Sequence, residues 1–186
     1  MLFIPLFILL ILYFDKSVTE GEPDIPLRWV ATAVFLGIFL LDALDGYFAR
    51  KRREISRLGT LLDPLTDKAM LLSALVLLSL PSTAFERALP AWFVVLVISR
   101  DVMLVGGALI IQNIVGNVIV RPRISGKVTT FFQAIVILWV LLNLQKTVFM
   151  FLVGIAAGLT FISAVQYIID GIRQLEKANH DSPEKK

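Results

Sequence analysis

Asp42-Ala43-Leu44-Asp45-Gly46-Tyr47-Phe48-Ala49-Arg50 and, after eight intervening residues, Gly59-Thr60-Leu61-Leu62-Asp63-Pro64-Leu65-Thr66-Asp67 set four carboxylates between apolar runs. Charge beside lipid-soluble sequence is costly, so such a cluster marks a functional site rather than decoration. Asp42, Asp45, Gly46 and Ala49 recur at i, i+3, i+4 and i+7, which puts them on one face of a helix. Asp63 and Asp67, at i and i+4, share a face of the next. The short link between the two segments favours an antiparallel pair, so that two carboxylates from each helix converge.

Around this stretch the chain is mostly apolar. Of its 186 residues 57% are hydrophobic, and the mean hydropathy is +0.80. A soluble domain carries about 45–50% apolar residues, so lipid is the expected solvent. Apolar runs predict six spans, at 1–14, 29–48, 61–80, 90–111, 128–144 and 148–169. The fold class expected is all-α and integral to the membrane, a six-transmembrane-helix bundle. The first run is short: fourteen residues cover about 21 Å of a hydrocarbon core about 30 Å thick, so the first helix is expected to be truncated. Residues 1–175 form the membrane domain in this scheme. Residues 176–186, charged and containing Pro183, form a polar cytoplasmic tail expected to be disordered.

Basic residues set the orientation. Arg50, Lys51, Arg52, Arg53 and Arg57 separate the second and third spans, and Arg121, Arg123 and Lys127 the fourth and fifth. Arg173, Lys177, Lys185 and Lys186 follow the sixth. The first alternate loop instead holds Asp15, Glu20, Glu22 and Asp24. The positive-inside rule therefore places both termini and the 42–67 region on the cytoplasmic side of an inner or plasma membrane. Such basic loops suit anionic headgroups; no nucleic-acid partner is implied.

Four like charges cannot remain ionised together in a partly dry site without cations. The chain has no cysteine and a single histidine, His180, in the tail. Oxygen ligands alone point to a hard cation such as Mg2+ or Mn2+. Gly46, Gly59 and the small Ala49 leave room for close approach, and Arg50 offers planar donors to a phosphate or base edge. Together these describe a diphosphate site. Ion pairing with the Arg/Lys run is the plainer alternative, but it requires neither the glycines nor the spacing.

At these residues the chain resembles the CDP-alcohol phosphatidyltransferase family, whose D-x2-D-G-x2-A-R-x8-G-x3-D-x3-D pattern it matches without a gap. The resemblance extends to Leu62-Asp63-Pro64-Leu65-Thr66-Asp67-Lys68, to Ile98-Ser99-Arg100-Asp101, and to the Ser125-Gly126-Lys127 start of the fifth span. An Asn-x2-Thr-x2-Arg element usual ahead of the first apolar run has no counterpart here. The resemblance implies that Asp42, Asp45, Asp63 and Asp67 hold two Mg2+ or Mn2+ ions, and that Asp67 is also the general base. It further implies that Asp45, Gly46, Ala49, Arg50 and Gly59 contact the CDP part of CDP-diacylglycerol, and that the chain forms a homodimer.

Arg100 and Asp101 fall within an apolar run, where charges are rare. Two alternatives stand: an internal polar pair fixing helix packing, or an Arg100 that grips an acceptor phosphate with Arg121, Arg123 and Lys127. Lys127, Thr130 and Gln133 could line the same cavity. Glycerol 3-phosphate is the first expected acceptor and phosphatidylglycerol, giving cardiolipin, the second. An inactive truncated paralogue and an ion transporter are the remaining alternatives. Gly154-x3-Gly158 permits close helix approach, within the chain or to a second copy.

Overall fold

The structure, a computed structural model, describes residues 3–52, 59–80, 85, 88–115 and 124–180. Among these it is all-helical: α1 (Phe3–Thr19), α2 (Ile25–Arg52), α3 (Gly59–Ser79), α4 (Ala91–Val115), α5 (Ile124–Leu141) and α6 (Lys146–His180). All six expected spans are present as helices, but their ends differ, because helices stop at capping chemistry rather than where hydropathy falls. α1 continues through Asp15 to Thr19, and its 17 residues cover about 25 Å. There Gly21 takes φ +86°, with its N–H bonded to Val18 O at 3.1 Å and the Glu22 N–H to Ser17 O at 3.0 Å. This pair of bonds is a Schellman cap. Asn143, at φ 52°, closes α5 in the same way: its N–H donates to Val140 O at 2.9 Å and that of Leu144 to Trp139 O at 3.2 Å.

Asp24 caps α2 by accepting the Leu27 N–H at 3.2 Å, and its own N–H donates to Ser17 Oγ at 3.1 Å, which pins the α1–α2 turn. α6 corrects the tail expectation: it runs to His180, so residues 176–180 are helical. Arg173-Gln174-Leu175-Glu176-Lys177-Ala178 are good helix formers, and the first proline is Pro183.

Connections are short against helix lengths. α2, with 28 residues, is about 42 Å long, whereas the six residues before α3 reach at most about 25 Å. α3 must therefore start at the end where α2 finishes. The Leu89 N–H bonded to Leu78 O at 2.8 Å likewise brings α4 back to the end of α3. By this alternation the ends of α2, α4 and α6 and the starts of α3 and α5 share one end of the bundle. Trp29, Trp92 and Trp139 all lie near the opposite end. That is the distribution of an interfacial aromatic belt facing a basic end.

Inside, α1 contributes Phe7, Ile11 and Phe14 from one face. The Phe7 and Phe35 rings lie 5.8 Å apart and those of Phe14 and Phe85 5.4 Å apart. α5 packs against α2, α3 and α6, burying Ala134, Val136, Ile137, Val140 and Leu141. Outside, Val95, Val102, Phe151 and Phe161 are more than 60% exposed, a surface unsuited to water. Among the described residues two helical stretches, Ala91–Ile111 and Thr147–Arg173, are long and apolar enough to cross a membrane. Gly154 and Gly158 are exposed, with no atom within 4 Å of an added Cβ, so among the described residues they serve no internal helix contact.

Gly21→Ala forces an L side chain into the left-handed region and is expected to cost about 1 kcal/mol. Denaturant unfolding in detergent micelles measures this, and Asn143→Gly in the same assay should cost nothing.

Candidate active site

The backbone carries the aspartates as the spacing predicts. Asp42, Asp45, Gly46, Ala49 and Arg50 belong to the last third of α2, and Gly59 opens α3, with Asp63 and Asp67 on its next turns. The short link holds these two helix ends at the same end of the bundle. Pro64, whose place the sequence left open, lies inside α3. Lacking an N–H, it cannot bond the Thr60 carbonyl four residues back. The side chains of residues 42–50 and of Asp63 and Asp67 lie outside the described set, as do Arg121 and Arg123 entirely.

Next to the aspartates, a polar network crosses the apolar interior. Lys68, the residue after Asp67, donates from Nζ to Asp101 Oδ1 at 2.5 Å. The same oxygen accepts Arg100 Nη1 at 2.6 Å. Arg100 Nη2 donates to Ser163 Oγ on α6 at 2.8 Å, and the guanidinium lies 5.3 Å from the centre of the Tyr167 ring, within cation–π range. Arg100 is 4% exposed. Its Nε and the nearby Ser125 Oγ are buried polar atoms without a hydrogen-bond partner among the described residues. Gly126 packs against the network: an added Cβ would lie 3.2 Å from Arg100 Nη2 and 3.3 Å from the Tyr167 hydroxyl.

Arg100 and Asp101 are thus joined as an internal pair, with Arg100 Nε left without a hydrogen-bond partner among the described residues. Lys127 is exposed, whereas Gln133 is buried and donates to Thr160 Oγ1 at 3.3 Å. Thr130 Oγ1 bonds back to Gly126 O at 3.0 Å. The three differ in exposure, because a three-residue spacing on α5 drifts from solvent into the α5–α6 seam. Thr129 Oγ1, in contact with both Ser125 O at 2.8 Å and Leu159 O at 3.3 Å, strengthens that seam. Sequence reasoning missed Ser163 and Tyr167. Their signal was present: Thr160, Ser163 and Tyr167 recur at three- and four-residue spacing in an otherwise apolar run.

Comparison with known proteins covers most of the chain. A family model described as CDP-alcohol phosphatidyltransferase matches residues 1–165. The CDP-diacylglycerol–glycerol-3-phosphate 3-phosphatidyltransferase of Bacillus subtilis (strain 168) is 36% identical over 143 residues, covering 75% of this chain and 70% of that one. The enzyme of the same name from Aquifex aeolicus (strain VF5) is 33% identical over 149 residues, covering 76% and 80%. A probable cardiolipin synthase (CMP-forming) of Drosophila melanogaster is 38% identical over 103 residues, or 55% of this chain and 29% of that one.

Ser163→Ala removes the acceptor of a buried arginine donor and is expected to cost about 1–3 kcal/mol. Gly126→Leu, pushed against two held side chains, should cost more than Gly126→Ala. Thermal unfolding of the detergent-solubilised variants gives both orders.

Proposed function

This chain belongs to the CDP-alcohol phosphatidyltransferase family, and on that footing we propose that it transfers a phosphatidyl group from CDP-diacylglycerol to glycerol 3-phosphate. The products are CMP and phosphatidylglycerophosphate. The observation that carries this reading is the motif at 42–67, divided between two helix ends that the short link keeps together. The acceptor is supported by relatives named for glycerol 3-phosphate, which align with three quarters of this chain.

The donor set fits Mg2+ or Mn2+. Four aspartates supply oxygen only, the chain has no cysteine, and its one histidine is the last residue of α6. In our reading Asp42, Asp45, Asp63 and Asp67 hold two such ions. Ions held there would supply positive charge to the diphosphate and to the leaving group. Gly46, Ala49 and Gly59 leave space for the nucleotide, where Asp45 also contacts the CDP part, and Arg50 meets its phosphate. Asp67 takes the proton of the acceptor hydroxyl as that oxygen attacks the phosphorus bearing diacylglycerol. The bond from that phosphorus to the CMP oxygen breaks, and CMP leaves with the electron pair. Arg100, through its spare Nε, together with Arg121, Arg123 and Lys127, holds the acceptor phosphate.

In this reading residues 1–175 form one catalytic membrane domain of a multi-pass protein in the inner or plasma membrane. The aspartates and both termini face the cytoplasm, and the chain acts as a homodimer. The basic end of the bundle and the tryptophans at the other support that orientation. A second acceptor, phosphatidylglycerol, is kept because of the similarity to a cardiolipin synthase.

Purified protein with CDP-diacylglycerol and Mg2+ is expected to release CMP with glycerol 3-phosphate and not with phosphatidylglycerol. CMP release with phosphatidylglycerol alone reverses the acceptor assignment, and none with either refutes the transferase. Asp67→Asn should lower kcat by about a hundred- to ten-thousand-fold without lowering the melting temperature.

A further inference from the structure

Lys68 stands one residue beyond Asp67 on α3. In the metal reading, an ammonium group one residue from Asp67 competes with divalent cations for the same negative field. At about 10 Å and an effective dielectric near 20, one unit charge changes cation binding by at least roughly tenfold. The fold gives this lysine another partner. Nζ is bonded to Asp101 Oδ1 at 2.5 Å, with the two side chains 32% and 14% exposed. The same Asp101 oxygen also accepts Arg100 Nη1 at 2.6 Å. Arg100 is held in turn by Ser163 and by the Tyr167 ring. The partner of Lys68 is therefore anchored through α4 to α6.

We propose that Asp101 is a positioning residue that captures the positive charge of Lys68 and keeps the aspartates of α2 and α3 free to take divalent cations. This rests on the metal reading of the aspartates given above. A purely structural role for Asp101 makes a different forecast. Asp101→Asn also strips Arg100 of its carboxylate, and that damage would persist when Lys68 is changed as well. Charge capture instead means that removing the lysine repairs the loss.

The test is equilibrium binding of Mn2+ alone, read from the paramagnetic resonance of free Mn2+, to the full chain in detergent. Asp101→Asn should weaken binding about tenfold, Lys68→Met should bind as tightly as wild type or tighter, and the double variant should return to within twofold of wild type. Asp101→Asn within twofold of wild type, or a double variant as weak as Asp101→Asn, overturns the proposal. If Asp101→Asn does not fold, Lys68→Met decides alone: affinity at or above wild type supports charge capture, and weaker affinity overturns it. A wild type that binds no Mn2+ removes both the metal reading and the proposal. A wild type that binds Mn2+ but releases no CMP removes only the transferase.

Discussion

An arginine 4% exposed in the middle of an apolar helix costs several kcal/mol unless its charge is met inside the protein. Asp101 meets it, and the same oxygen also takes Lys68. The consequences reach beyond the pair. α3, which carries Asp63 and Asp67, is tied to α4, and α4 through Arg100 and Ser163 to α6. Gly126 of α5 lies against the same guanidinium, where an added Cβ would be in tight contact with Arg100 Nη2. Four helices are thus registered against one another by a handful of polar contacts. In lipid, where apolar faces find the solvent as good as each other, such contacts and close packing decide which helices meet and at what depth.

That registration separates two tasks. In the proposed reading, the ends of α2 and α3 carry the carboxylates, glycines and arginine that serve a charged diphosphate. The interior between α4, α5 and α6 presents a held arginine whose Nε has no partner among the described residues. A family that passes one phosphatidyl group to different alcohols needs the first region constant and the second adjustable. Here the first is complete in motif, and the second contains Arg100, Ser125 and the glycine that makes space beside them.

Much of this was legible in the sequence. Six apolar runs became six helices, and the Asp-Gly-Ala-Arg spacing fell on α2 and α3 as helical periodicity requires. Helix ends were not legible from hydropathy: α1 ends at a Gly21 cap after five polar or charged residues, and α6 runs on through a charged but helix-favouring stretch. The role of α6 was also hidden. Ser163 is an ordinary residue in a membrane helix until tertiary packing sets it 2.8 Å from an arginine 63 positions away. The burial of Gln133 against Thr160, beside an exposed Lys127, was hidden for a related reason, since near-helical spacing does not say which neighbour a face will meet.

The central claim is that carboxylates from two helices form one shared site for two cations. Calorimetric titration of Mn2+ into wild type, Asp42→Asn on α2 and Asp63→Asn on α3 addresses it most directly. One shared site requires that either substitution alone removes most of the binding heat. Full wild-type affinity and stoichiometry in either variant would contradict it.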